Sequence, residues 1–278
     1  MAKTLVVLGN NTFNGNIFKT ADSLFGEIKD ELFVGMVMQR NFQREKVSSH
    51  HEGSTSEKSS HMEMMSEIDP QNPEILSDFE TKATSKGLKY KFIHEVEVSS
   101  NELIVQSIYA DLLIMSYEVF FNSESQEPDT TFIYQLLKAC KCPVLILPTT
   151  TNKIQNVIFT YDGKESSVFA IRMFSNLFSD TMRDKEITVL TVTPSADEEI
   201  KNEKLLLELI KQHHSNVGVQ LMEGTNISEE IISYAKNVED PLIVMGAYGR
   251  SHISNLFIPS VARNILKTSR FPIFIAHK

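Results

Sequence analysis

The stretch best equipped for chemistry is Met245-Gly246-Ala247-Tyr248-Gly249-Arg250-Ser251, continued by Ile258-Pro259-Ser260-Val261-Ala262. It reads as a strand end, a glycine-containing loop and a helix start. Glycine lets the backbone approach a ligand closely and take positive φ. A helix start offers free N–H groups and the positive end of its dipole, which suits phosphate. The Ser260 hydroxyl would add a donor, and Arg250 opens a basic group completed by Arg263, Lys267 and Arg270. The chemistry indicated is phosphate cradling, not catalysis. The loop is not of the Walker type, because no G-x-x-x-x-G-K-[ST] occurs. The alternative is that Gly246 and Gly249 serve only a tight turn.

Other candidates are weaker. There is no G-x-S-x-G elbow, no H-E-x-x-H and no paired catalytic carboxylate pattern. No catalytic residue is therefore identified; a slow ATPase is the one enzymatic reading left open, and it has no nameable base. His213-His214 ends a predicted helix and reads as a solvated face. His252 in the glycine loop reads as exposed, and His94 alternates with Phe92 on a strand. His50, His51 and His61 lie in Arg44–Ser66, a segment rich in Ser, Glu and Lys. It reads as a mobile surface loop rather than a metal-binding tract, since its composition holds no ligand in place. Cys140 and Cys142 stand one residue apart, where a disulfide would be strained. With no further cysteine as ligand, they read as a helix end entering a strand.

The elements that must position the glycine loop come in a repeated order. In the second half, Val157–Thr160 is a short strand and Asp162-Gly163 a turn. Apolar residues from Val168 to Phe178 then recur at helical spacing. Ile187–Val192 is a strand, Ile200–Ile210 a helix and Val217–Leu221 a strand. Asn226 with Glu229 forms a capping signature ahead of the stripe Ile227, Ile231, Ile232, Ala235. Leu242–Met245 is apolar throughout, as a buried parallel strand should be. A helix over about Ser260–Thr268 and the strand Pro272–Ile275 close the half. The first half repeats this: Leu5–Leu8, a helix Asn16–Phe25, Leu32–Met38, Tyr90–Val98, a capping box Ser99–Glu102, Leu112–Met115 and Pro143–Leu147. The reading is two tandem domains, 1–150 and 151–278. Each is an open, mostly parallel five-stranded sheet flanked by helices, and ligands in such sheets bind beyond the carboxyl ends of the strands.

Composition sets the outer limits. The chain has 278 residues, 41% hydrophobic and 23% charged, with a formal net charge of −9. An acidic chain repels a phosphate backbone on average, so nucleic acid is not an expected partner. No apolar run reaches the roughly 20 residues that span a bilayer, so no membrane is expected. The run Leu5–Leu8 is too short for a signal-peptide core and reads as a strand. Together with the cysteine usage this points to the cytoplasm.

On these motifs the chain resembles the universal stress protein family. That family carries a G-x2-G-x9-G-[S/T] loop between its fourth strand and last helix, and its ATP-binding members hold ribose and phosphates there. Here Gly246, Gly249, the spacer Arg250–Ile258 and Ser260 match, while Pro259 replaces the third glycine. Asp162 after the first strand and the closing Phe-Pro-Ile-Phe-Ile strand add to the likeness. The fold implied is Rossmann-like, of the adenine nucleotide α-hydrolase-like kind. The resemblance further implies ATP or another adenine nucleotide, with or without Mg2+, in the second half. Asp162 would sit near adenine or ribose, and Thr160 and Val192 would line the base pocket. Met245, Gly246, Gly249 and Arg250 would flank ribose and phosphates, and Ser260 and Val261 would cap the phosphates. It also implies a stress-response role exerted by binding, halves packed through their last strands, and further pairing of chains or a protein partner.

Proline lacks the N–H a glycine would offer. A lost hydrogen bond to a charged group is worth about 1.5–3 kcal/mol, roughly a 10- to 150-fold loss of affinity. In the first half the loop is degenerate. Ser116 and Val119 replace the two glycines, Asn10 replaces Asp162, and only Thr131 keeps the hydroxyl. The spacer carries Glu118, Glu124, Glu127 and Asp129, which repel phosphate. No nucleotide is expected there. A nucleotide-free interaction protein of the same family is the alternative.

Overall fold

The structure, a computed structural model, describes residues 3–8, 16–26, 32–37, 73–93, 100–120, 130–148, 153–195, 197–246 and 271–277. In the first half these hold β1 (Lys3–Leu8), α1 (Asn16–Phe25), β2 (Leu32–Val37), α2 (Pro73–Ser85), β3 (Lys89–Phe92), α3 (Ser100–Ile108), β4 (Leu112–Ser116), α4 (Thr130–Ala139) and β5 (Val144–Leu147). The second half holds β6 (Asn156–Thr160), α5 (Glu165–Met182), β7 (Glu186–Thr193), α6 (Glu203–Lys211), β8 (Asn216–Glu223), α7 (Ile227–Lys236), β9 (Pro241–Gly246) and β10 (Ile273–Ala276).

The strands form a single ten-stranded sheet in the order β3-β2-β1-β4-β5-β10-β9-β6-β7-β8. Each half is a parallel five-stranded sheet, and the two halves mirror each other. They join where β10 runs antiparallel to β5, with Phe274 opposite Leu145. The joint has a physical cause: Val144–Leu147 and Ile273–Ala276 are short, apolar and buried along their whole length, so neither can stand as a solvated edge. The sequence reading of two sheets meeting at their last strands thus becomes one continuous sheet.

Side chains alternate across a strand, and the helices divide accordingly. Val6 and Leu8 of β1 face the layer of α1, α2, α5 and α6, whereas Leu5 and Val7 face that of α3, α4 and α7. The first layer is rich in phenylalanine, with Phe18 against Phe79 at 5.2 Å and Phe174 against Phe178 at 5.0 Å between ring centroids. The halves also touch through helices. Phe25 of the first half stacks edge-on against Phe178 at 5.2 Å, and the Thr181 hydroxyl donates to the Leu24 carbonyl. Gly26 ends α1 with φ of 66°, and a Cβ there would stand 2.9 Å from Thr181 Cγ2. Only glycine meets both demands. α5 loses helical geometry at Phe178 (φ −127°, ψ 17°), where it meets the first half.

Several expectations need correction. α2 was not expected, the helix end foreseen at Cys140 is that of α4, and the helix foreseen over 200–210 starts at Glu203. Asn226 occupies the N-cap of α7 but makes no capping bond. Its Oδ1 instead accepts from the Ser228 hydroxyl at 2.9 Å. Ser99, the Arg44–Ser66 segment and the helix expected over 260–268 lie outside the described residues, as do His94 and His252. Among the described residues no helix is long and apolar enough to cross a membrane.

Candidate functional site

β6 lies between β7 and β9. From β6 the chain crosses to β7 through α5 on one face, and it returns from β8 to β9 through α7 on the other. The strand order therefore switches at the carboxyl ends of β6 and β9, which is where open α/β sheets bind ligands. A cleft opens there, of about 520 Å³ including its mouth. Its floor is Leu190 and Val192 of β7 with Met245 of β9. Ile227 and Ile231 of α7 form one wall, and Thr160, Asp162, Ser166 and Ser167 form the polar rim.

The rim is assembled by local bonds. Thr160 Oγ1 donates to the Val244 carbonyl at 3.0 Å, tying the ends of β6 and β9 together. The chain then turns at Gly163 into α5. Asp162 Oδ1 accepts from the Lys164 backbone N–H at 3.1 Å and from the Ser167 hydroxyl at 2.8 Å. Its Oδ2 stands 3.1 Å from Lys164 Nζ. The carboxylate thus organises the first turn of α5 at the positive end of the helix dipole. Beside it, Tyr161 is buried and donates its hydroxyl to the Lys201 carbonyl at 2.6 Å. Burial, with the Asp162 charge, raises the Tyr161 pKa, so it stays a donor.

Gly246 has a packing role of its own. A Cβ there would overlap the backbone of Ser166 and Ser167. The first turn of α5 can sit over the end of β9 only because that residue has no side chain.

Of the residues singled out in the sequence, Thr160, Asp162, Val192, Met245 and Gly246 line this one cleft. Gly249, Arg250, Ser260 and Val261 lie outside the described residues. Tyr161, Ser166, Ser167, Leu190, Ile227 and Ile231 were missed. The Ile227/Ile231 pair was visible as a helix stripe but read as core. The serines follow the Asp162-Gly163 turn, where a helix start could have marked them.

The equivalent place in the first half differs. There β1 ends in Leu8, 1% exposed, and β4 ends in buried Ser116. The chain then enters a short 3-10 turn, Tyr117–Phe120. Asn10 and the spacer acids Glu124, Glu127 and Asp129 lie outside the described residues.

The remaining candidates resolve as structural. Cys140 and Cys142 are free and buried. Burial pushes the Cys140 thiol up to about 12 and the Cys142 thiol up as well, so neither forms a reactive thiolate. His214 is not on a solvated face: it is 2% exposed. Its Nε2 pairs with the Ser175 hydroxyl at 2.9 Å and its Nδ1 with the Met182 carbonyl at 3.1 Å. The ring thus bridges α5 on both sides of Phe178. Since a carbonyl only accepts, Nδ1 carries the proton and Nε2 accepts. Burial lowers the His214 pKa, against the Met182 bond and with His213 and Arg183. Among the described residues no group of three or more His, Cys, Asp or Glu could hold a metal.

Residues 153–277 match the model of the universal stress protein family. A universal stress protein of Synechocystis is 25% identical over 141 residues, 50% of this chain and 48% of that protein. One from Methanocaldococcus jannaschii is 27% identical over 84 residues, 29% of this chain and 50% of that protein. The chain thus spans about half the length of these curated relatives. The crystal structure of a universal stress protein from Archaeoglobus fulgidus covers 100% of this chain and 96% of its own, with a TM-score of 0.65 at 14% identity. That likeness is one of fold.

Proposed function

We propose that the C-terminal half, whose residues 153–277 match the model of the universal stress protein family, binds an adenine nucleotide and acts by binding rather than by turnover. The observation that carries the proposal is the cleft at the switch point between β6 and β9. It has an apolar floor of Leu190, Val192 and Met245 under a polar rim of Thr160, Asp162 and Ser167. A purine is a flat apolar body with a polar edge and suits such a floor. Asp162, with its partly exposed carboxylate, would accept from a ribose hydroxyl or an exocyclic amine. Gly249, Arg250, Ser260 and Val261 would hold the phosphates, with Mg2+ entering only as companion to them. Pro259 weakens that end by one N–H donor.

In this proposal residues 1–150 and 151–278 are two domains, the first a structural partner without nucleotide. The bound state would be read in the cytoplasm by a second chain or another protein in a stress response.

A second reading rests on a specific observation. Asp162 already serves Lys164 and Ser167, and Gly246 is required by packing against α5. Both residues would be present in a nucleotide-free interaction protein.

Nucleotide released from the purified protein by denaturation and measured by mass spectrometry separates the two, alongside titration with ATP. Val192→Phe fills the floor without touching the rim. Nucleotide bound by the parent and not by this folded variant supports the first reading. A parent that carries none and shows no thermal shift at millimolar ATP supports the second.

A further inference from the structure

We propose that the outer edge of β8, with the groove between it and α6, docks an extended, positively charged segment of a partner protein as an added strand. β8 ends the sheet order and pairs with β7 along all eight residues, Asn216 to Glu223, without a bulge. Among the described residues no strand pairs with its other side. An open edge of unpaired N–H and C=O groups is a template for another chain, and proteins blunt it with shortness, lysine, proline or bulges.

The opposite edge shows that protection. β3 is four residues long and presents exposed Lys89 and Lys91. β8 is twice as long, Asn-Val-Gly-Val-Gln-Leu-Met-Glu, with no lysine or proline. Val219 is 37% exposed on it. One edge of the sheet is guarded and the other is not.

The groove beside β8 selects the occupant. Ile200, Leu207 and Leu221 give it an apolar strip. Around that strip stand Glu198, Glu199, Glu203 and Glu208, against Lys204 and Lys211. Glu223 on the strand itself adds a further carboxylate. Strand addition draws affinity from main-chain hydrogen bonds and specificity from alternate side chains. Here alternate apolar residues would enter the strip and the rim would select lysine or arginine. Twofold pairing of two copies through β8 would set this glutamate rim beside its own copy, so like charges oppose that arrangement. The docking edge is separated from the cleft by β7 and does not depend on nucleotide.

The test uses the full chain, isotopically labelled, and a synthetic peptide of β8's length that alternates lysine and valine. Amide shifts confined to residues 216–223 and 198–211 are expected, with affinity falling as salt rises. Val219→Lys introduces the guard that β3 carries, and Glu203→Lys with Glu208→Lys reverses the rim. Each change is expected to weaken binding about tenfold or more. Glu239→Lys, exposed and remote, leaves it unchanged. An equally tight complex with an alternating glutamate-valine peptide, shifts elsewhere, binding insensitive to Val219→Lys, or no binding at millimolar peptide would each overturn the proposal. So would dimers in sedimentation that Val219→Lys dissolves, which would assign the edge to a second copy.

Discussion

The carboxyl ends of β6 and β9 and those of β1 and β4 hold equivalent places in the two halves of one sheet, and different residues build them. In the second half a threonine hydroxyl bridges the two strand ends, Thr160 to Val244. A glycine then lets α5 close over them, and Ile227 and Ile231 wall an apolar floor. In the first half Val7 stands where Thr160 stands and Ser116 where Gly246 stands, both buried. Strand order and core are retained in both halves while the site-forming residues are kept in one. Fold and site are therefore separable here, and the first half has value as scaffold through the β5–β10 joint and the α1–α5 contact.

The largest expected effect tests that scaffold role. Phe178 is 1% exposed and packs on Phe25, Phe174 and Phe274. Phe178→Ala should cost about 3–5 kcal/mol by chemical denaturation. A loss below about 1 kcal/mol would mean that the halves do not share a core.

Exchanging equivalent residues sharpens the comparison. Gly246→Ser imports the first-half residue and forces a Cβ against the Ser166–Ser167 backbone. It should cost about 1–3 kcal/mol. The reverse change, Ser116→Gly, should cost about 1 kcal/mol or less. Equal costs would show that the two strand ends are packed alike.

A comparable loss is expected at the bridge that His214 makes across α5. Ser175→Ala removes the donor to Nε2 and should cost about 1–3 kcal/mol. The folded pKa of His214 is lowered, chiefly by burial, so the unfolded chain binds more protons in the interval between that pKa and the unfolded value of about 6.5. This contribution is whole above the unfolded value and is lost as pH falls through the interval. His277 adds a loss of the same sign, since burial lowers its pKa despite backbone bonds to Leu137 and Cys140. Denaturation midpoints between neutral and mildly acidic pH should therefore fall less steeply in His214→Asn than in the parent. Parallel slopes would contradict the assignment.

The smallest effect concerns the rim. The Lys164–Asp162 pair has side chains 42% and 36% exposed, so solvent screens it. Lys164→Ala should change stability by less than about 1 kcal/mol. A larger loss would make that pair, rather than the Asp162 bond to Ser167, the organiser of α5.

Much of this was legible in the sequence for physical reasons. Leu112–Met115 and Leu242–Met245 are apolar on both faces because parallel strands are covered on both sides. The Asp162-Gly163 turn and the Met245-Gly246 strand end stood out by residue type. α2 escaped because, of its described side chains, only Phe79 and Ala83 are buried, too few for a stripe. His214 looked like surface because its burial depends on α5, distant in sequence. Asn226 with Glu229 has the spacing of a capping box, but the Asn226 side chain is taken by Ser228. The β5–β10 pairing joins residues far apart in the chain and leaves no local period.

The central claim is that one half binds adenine nucleotide and the other does not. Hydrogen exchange of the full chain with and without ATP tests it most directly, read separately over the equivalent strand ends. The account predicts added protection at residues 160–167, 190–192 and 243–246, and none at 5–8 or 112–116. Protection at both sets, or at the first-half set alone, would contradict it.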